Sequence, residues 1–312
     1  MPVMQENTAA ARWPSLPYRR WKDTRDTLHL WMQIVGKVKL KLSPFLNQWW
    51  EVAFEVTPHG MTTGRIPYRE MAFAVDFDFL AHHLAITTSA GGREQISLAP
   101  RSVAAFYREF LSALSALGID VAITPTPSEI AHPIPFAEDS EHASYDRRYA
   151  TRWWQIQLHS TFLLDRFRTD FRGKSSPVQF FWGSFDLNTT RFSGQRLPDR
   201  TDWPPGYHFM RYAESEENFA CGFWPGDERF PHAAFYTYLY PVPAGNETIS
   251  AGSAFACFNR QLGEWLLPYA QVRRAEHPEE EILRFLETTY REYARLAGWD
   301  LAALTGLVPA PT

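Results

Sequence analysis

The chain has 312 residues, 45% of them hydrophobic and 21% charged, and a formal net charge of −4. Such a balance supports a full core in one large domain or two ordinary ones and excludes global disorder. It also excludes nucleic acid or an anionic membrane as the main partner, because the densest basic spots, Arg19-Arg20 and Lys37-Lys39-Lys41, are short. Cys221 and Cys257 are too few for a disulfide framework and read as small buried thiols in a reducing cytosol. The unusual quantity is aromatic content, 15%, which suits both a core and the walls of a pocket.

In chain order, residues 1–17 read as a flexible tail without the apolar core of a signal peptide. Asp23 or Thr24 caps a helix to Leu42, with Leu28, Trp31, Val35 and Val38 as its buried stripe. Ser43-Pro44 stops it, and Trp49 to Thr57 alternates like a strand. Met71 to Leu80 is the cleanest strand, followed by His83 to Thr88 and Glu94 to Leu98. A helix from Ser102 to Leu117 ends the first unit at Gly118. Residues 124–144 read as a Pro-rich, then acidic, linker. A long helix then runs from Tyr145 or Asp146 to Phe171, and Val178 to Phe185 is a strand. Further strands are expected over Asn218 to Trp224, Ala233 to Tyr240 and Ala254 to Asn259, and a closing helix over Glu279 to Leu296. Residues 301–312 read as a tail, and no apolar run is long enough to span a bilayer.

The order of elements repeats, and so do residues. Trp31-Met32-Gln33-Ile34 recurs as Trp153-Trp154-Gln155-Ile156. Val52 to Ile66 aligns without gaps on Val178 to Phe192, matching Val52 with Val178, Phe54 with Phe180, Thr63 with Thr189 and Arg65 with Arg191. The expected fold is therefore α+β, with two pseudo-repeats at 18–123 and 145–300, each helix, antiparallel strands, helix, packed as one compact unit. A partly open β-barrel with outer helices is the alternative. A groove between the repeats is the natural place for a ligand.

The segments WPSLPYRRWKDTRDTLHLWMQIVGKVKL and SPVQFFWGSFDLNTTRFSG resemble a bacterial family of unknown function, family 5996, over about Trp13 to Trp299. The resemblance implies a soluble cytoplasmic protein and no particular chemistry. Members often carry His where this chain has Gln48 and Gln179, so any imidazole role at those positions is lost here.

Candidate chemistry is sparse, since no Rossmann, P-loop, nucleophile-elbow or zinc pattern occurs. His29, Gln33 and Lys37 stack along one face of the first helix; the same spacing serves a solvated face. Ser184, Asp186 and Arg191 lie in the most distinctive segment, where Arg191, with Arg65 from the other repeat, would hold an acidic ligand or Asp186 would pin a turn. His142 and Asp146 have the types for proton transfer or for helix capping. Trp50, Trp182, Trp224 and Tyr238 would be aromatic walls. The expectation is a cytoplasmic monomer or homodimer that binds or transforms a small polar or acidic molecule in an aromatic cleft, with no cofactor. His29 or His142 would move protons. The alternatives are a metal- or haem-dependent enzyme using His29, His142, His159 or His208, and a non-catalytic protein-interaction module.

Overall fold

The computed structural model describes residues 12–306. Helix α1 spans Tyr18–Leu42. It starts earlier than the Asp23 or Thr24 cap predicts because Tyr18 and Trp21 are buried, so packing holds a first turn that no side-chain cap supports. The predicted strand from Trp49 is replaced by a 3-10 helix, Asn47–Val52, in which Gln48 and Trp49 have φ of 54° and 61°. Two successive left-handed residues cannot lie on a pleated strand. Strand β1 is consequently only Glu55–Thr57.

The first sheet continues with β2 (Gly60–Thr62), β3 (Ile66–Tyr68), β4 (Met71–Asp78), β5 (His83–Thr88) and β6 (Arg93–Ser97). It is antiparallel in the order β1-β2-β4-β5-β6, with β3 also on β4. Helix α2 (Val103–Ala116) follows, its N-cap Ser102 accepting from the Ala105 amide at 3.2 Å. After the linker comes α3 (Arg147–Arg168), then β7 (Gln179–Phe181) and β8 (Asp186–Arg196). A single turn, α4 (Met210–Ala213), precedes β9 (Glu216–Trp224) and β10 (Ala234–Tyr240). Strands β11 (Cys257–Asn259) and β12 (Glu264–Pro268), turn α5 (Tyr269–Val272), helix α6 (Pro278–Leu296) and turn α7 (Leu301–Leu304) complete the chain. The second sheet is also antiparallel, in the order β11-β12-β10-β9-β8-β7. The protein is α+β, each half running helix, antiparallel strands, helix, and no barrel closes among the described residues.

The two sheets meet edge to edge. Phe54 and Phe180, aligned in the sequence repeat, bond each other, N to O at 2.8 Å in both directions. A residue paired with its own counterpart is what a two-fold axis between the halves produces. The seam is filled. Trp153 stacks on Phe185 at 5.0 Å and 4°, and Trp182, 5% exposed, donates from Nε1 to the Val52 carbonyl at 2.9 Å.

Both presumed tails are partly built in. Trp13 and Leu16 are buried, and the Trp13 and Pro14 carbonyls accept from Arg273 and Tyr269. Thr305 bridges to Phe171. Residues 1–11 and 307–312 of those predicted tails lie outside the described residues. Cys221 is buried as expected, but Cys257 is exposed on the edge strand β11.

Gly36 makes the seam's packing sharp. A Cβ there would stand 2.3 Å from the Trp182 ring. In an open helix interior Gly→Ala stabilises by about 1 kcal/mol. Here we expect Gly36→Ala to destabilise by about 1–3 kcal/mol, the usual cost of overpacking, measured as a lower urea midpoint at unchanged m-value. A raised midpoint would show that Trp182 does not bear on α1.

Candidate functional site

The second sheet has two unlike faces. Leu187, Phe219, Cys221, Phe223, Phe235 and Leu267 alternate toward the core and are fully buried. Alternation sends Asp186, Asn188 and Thr190 of β8, and Tyr236 and Tyr238 of β10, to the opposite face. Level with Tyr236 and Tyr238, β9 presents the small residues Gly222 and Ala220. A Cβ on Gly222 would stand 2.9 Å from the Tyr236 hydroxyl and 1.7 Å from the Leu187 carbonyl oxygen, so glycine there lets the phenol cross the strand.

Tyr236 uses that passage. Its hydroxyl donates to one Asp186 carboxylate oxygen, and Ser184 donates to the other. The Asn188 amide donates to the same phenol oxygen at 2.9 Å, while the Asn188 carbonyl accepts from Thr190 at 2.9 Å. Asp186, Asn188 and Tyr236 are all below 9% exposed, so this is a buried polar chain, not a solvated surface. Gln179 lies directly across from Asn188, is 4% exposed, and has no partner for its Nε2.

Helix α1 and the linker close one side of this face. Gln33, fully buried, exchanges two hydrogen bonds with Ser128, donating to its carbonyl at 2.9 Å and accepting from its amide at 2.7 Å. Lys37 donates to the Ser128 hydroxyl at 2.8 Å. The next residue, Glu129, is left-handed with φ 57°. Its carboxyl lies against the turn after β7, where a Cβ on Gly183 would meet Oε1 at 2.2 Å. Glu129 is exposed as a residue while its carboxyl packs against the Gly183 turn. His29 Nε2 donates to the Gly183 carbonyl at 2.9 Å, and its ring lies 4.7 Å from that of Phe185. Burial pulls His29 down to about 4, so the ring is neutral near pH 7 and positions the turn.

Carboxyls on this side resist ionisation. Burial, helped by the Asp186 charge, pushes Glu129 up to about 7 and Glu264 up to about 8. Burial pushes Glu214 up to about 7, although the Asn218 amide donates to it at 2.6 Å. Burial also raises Asp186, against the opposing hydroxyl donors.

Of the residues singled out by sequence, His29, Gln33, Lys37, Trp182, Ser184, Asp186 and Tyr238 gather around this face and its α1 border. Trp224 joins its apolar rim, stacked on Phe230 at 6.5 Å. The others lie elsewhere. Arg191 points into the core, its guanidinium 3.5 Å from the Phe167 ring centre and 4.3 Å from that of Tyr290, and it is 4% exposed. One NH2 bonds the Phe167 carbonyl, and Asp186 does not pair with it. Arg65 is exposed, without an ion pair among the described residues. The pseudo-equivalent arginines therefore form no anion clamp. Asp146 is the N-cap of α3, accepting from the Arg148 amide at 2.9 Å. His142 is paired with buried Asp139 at 2.8 Å, in a loop whose carbonyls receive the first amides of α2. Trp50 packs near Phe192 under Lys174, which is itself paired with Glu216 at 2.6 Å. His159 packs on Trp13 and Phe162, and His208 is exposed. Among the described residues no three His, Cys, Asp or Glu side chains stand together as a metal's ligand set.

Sequence reasoning missed Glu129, Asn188, Glu214 and Glu264, and read Tyr236 only as part of an aromatic wall over Phe235 to Tyr240. One signal was readable: Tyr236, Tyr238 and Tyr240 alternate with Phe235, Thr237 and Leu239, which marks a polar-edged aromatic face. Two surface depressions lie away from these groups. One, about 430 Å³, has Asp120 as its only ionisable lining residue. The other, about 290 Å³, is at the exposed Arg12–Glu279 pair.

The carboxyls set a pH dependence of stability. A carboxyl raised on folding keeps its proton preferentially in the folded chain. Its stabilising contribution is complete below the ordinary value of 4.5 and is lost as pH rises through about 8 for Glu264. Glu264→Gln should therefore raise the Tm relative to the parent at about pH 8.5 and change it little near pH 5. An equal increment at both pH values would mean that Glu264 titrates like a solvated carboxyl.

No curated protein and no solved structure matches the chain. A family model described as a family of unknown function, DUF5996, matches residues 13–306, nearly the whole chain. The protein belongs to that family.

Proposed function

We propose that this is a cytoplasmic bacterial protein that binds a small polar molecule on the polar face of its second sheet, without a cofactor. The observation that carries the reading is the hydrogen-bonded chain Ser184–Asp186–Tyr236–Asn188–Thr190, buried at its three middle members and lying beside the unpartnered amide of Gln179. A strand face needed only for packing is cheaper to build from apolar side chains, because each buried polar group must find partners. Fixed donors and acceptors beside aromatic rings are the usual makeup of a small-molecule site. The charge of the ligand follows from the neighbours. Arg191 is held among aromatic rings on the other face, and carboxyls outnumber cations here, so an acidic ligand is disfavoured. A neutral or cationic ligand suits the site.

A thermal-shift screen with polar metabolites tests this. A ligand at a hundred times its Kd stabilises by about 2.7 kcal/mol, which reads as a rise of several degrees in Tm. Asn188→Ala and Tyr238→Ala should each remove most of that rise. A hit whose shift survives both substitutions binds elsewhere, and a screen without hits refutes the reading.

A further inference from the structure

Going beyond binding, we infer that Ser128 and Lys37 form a nucleophile–base pair that hydrolyses carboxylic esters, with the Ser128 hydroxyl as nucleophile and the Lys37 amine as its base. Lys37 Nζ lies 2.8 Å from Ser128 Oγ, within the reach over which a base takes a hydroxyl proton. The backbone of Ser128 is fixed by the two hydrogen bonds it exchanges with Gln33. Gln33 and Lys37 stand four residues apart on α1, so one helix face both holds the serine's main chain and supplies the amine. Ser128 is half-buried and Lys37 is 6% exposed, so the serine is reachable from solvent and the base lies behind it.

The lysine has the surroundings of a base, not of an ion-pair partner. Its amine donates to Ser128 Oγ and lies 5.9 Å from the Trp182 ring centre, and no carboxylate pairs with it among the described residues. Trp182 is itself buried, tied to the Val52 carbonyl and laid against α1 at Gly36, so it keeps water from that side of the amine. Burial draws Lys37 below its ordinary value of 10.5, against the opposing charge of Glu129. Glu129 is pushed up to about 7 by its own burial, which weakens that opposition near neutral pH. Serine–lysine pairs are a recurrent variant of the serine–histidine arrangement. The amide of Glu129, the residue after the hydroxyl, donates to no backbone carbonyl among the described residues. An amide at that position commonly serves the developing oxyanion, and the left-handed φ of 57° turns the chain there.

In the reaction the neutral Lys37 amine takes the hydroxyl proton while Ser128 Oγ bonds the acyl carbon, and the carbonyl π electrons move onto its oxygen. As that tetrahedral intermediate collapses, the bond from the acyl carbon to the alcohol oxygen breaks and Lys37 gives its proton to the leaving oxygen. Water, deprotonated in turn by Lys37, then attacks the acyl-serine. The bond to Oγ breaks, the proton returns to Oγ, and the acid leaves. An amine that is base and then acid suits an ester, because an alkoxide is expelled more readily than an amide anion.

Diisopropyl fluorophosphate and 4-nitrophenyl acetate, applied to the full chain, test this. The fluorophosphate should transfer one diisopropylphosphoryl group with loss of fluoride, and peptide mass mapping should place it on Ser128. The acetate should give a burst of nitrophenolate followed by slower turnover. Ser128→Ala should abolish both. Lys37→Arg keeps a cation that can hold the Ser128 hydroxyl but takes up no proton at neutral pH. It should slow labelling of Ser128 about a hundredfold or more, the low end of what a general base supplies, at an unchanged Tm. Lys37→Gln, smaller and uncharged, should show the same loss and serves if arginine lowers the Tm. A lysine that only pins the linker would leave the labelling rate unchanged in the variant that stays folded. The inference is overturned if Ser128 in the folded parent takes no label, if the label falls on another residue alone, or if both Lys37 variants label as the parent does. None of these results bears on the binding reading, which stands or falls on the thermal-shift screen.

Discussion

The two hydrogen bonds exchanged by Phe54 and Phe180 are the joint on which the architecture turns. They place β1 and β7 side by side, so each half's sheet ends on the other's. An edge strand left open invites pairing with another chain; here each half covers one edge of the other, and β6 and β11 remain as the outer edges. The same joint brings α1 and the β7–β8 turn together, and Trp182 closes the gap by lying over Gly36. That single close approach fixes the turn carrying Gly183, Ser184 and Phe185, and through Ser184 it fixes Asp186.

Pseudo-symmetry ends at the side chains. Arg65 and Arg191 occupy matching sequence positions, but one is exposed and the other is enclosed by Phe167, Phe171 and Tyr290. Burial pulls the Arg191 guanidinium down to about 10, which still leaves it charged at neutral pH. Its positive charge is met by aromatic faces and a backbone carbonyl instead of a carboxylate. The halves thus share a scaffold while only the second presents the buried polar chain.

The periodic parts of the fold were legible in the sequence. The Ser102 cap, the α6 pattern and the His83–Thr88 strand all fall where local rules place them, because each depends on residues adjacent in the chain. What was not legible depended on distant partners. Gln48 and Trp49 turn left-handed where the Trp49 indole reaches the Phe209 carbonyl at 2.8 Å, a contact 160 residues away in sequence. Strand β12 was missed because Glu264-Trp265-Leu266-Leu267-Pro268 is short and closed by proline; its ladder with β10 makes it a strand. The site divided in the same way. His29, Gln33 and Lys37 were readable as a helical stack, but nothing local says that the stack faces a linker 91 residues on.

Glu129 illustrates why a linker was the hardest place to read structure. A Pro-rich run between two units has the composition of a spacer, and a spacer has no reason to hold a left-handed glutamate. In the folded chain the backbone of Ser128 is gripped by a fully buried glutamine, and the hydroxyl by a lysine. Three hydrogen bonds on one residue convert a connector into a positioned arm. The left-handed conformation at the following residue, unfavourable by about 1 kcal/mol or more for a non-glycine residue, is sustained by that grip and turns the carboxyl back onto Gly183. Without the grip the carboxyl would return to water, where ionisation is easy and the conformation relaxed. The linker therefore positions an acid whose surroundings in the fold favour its protonated form.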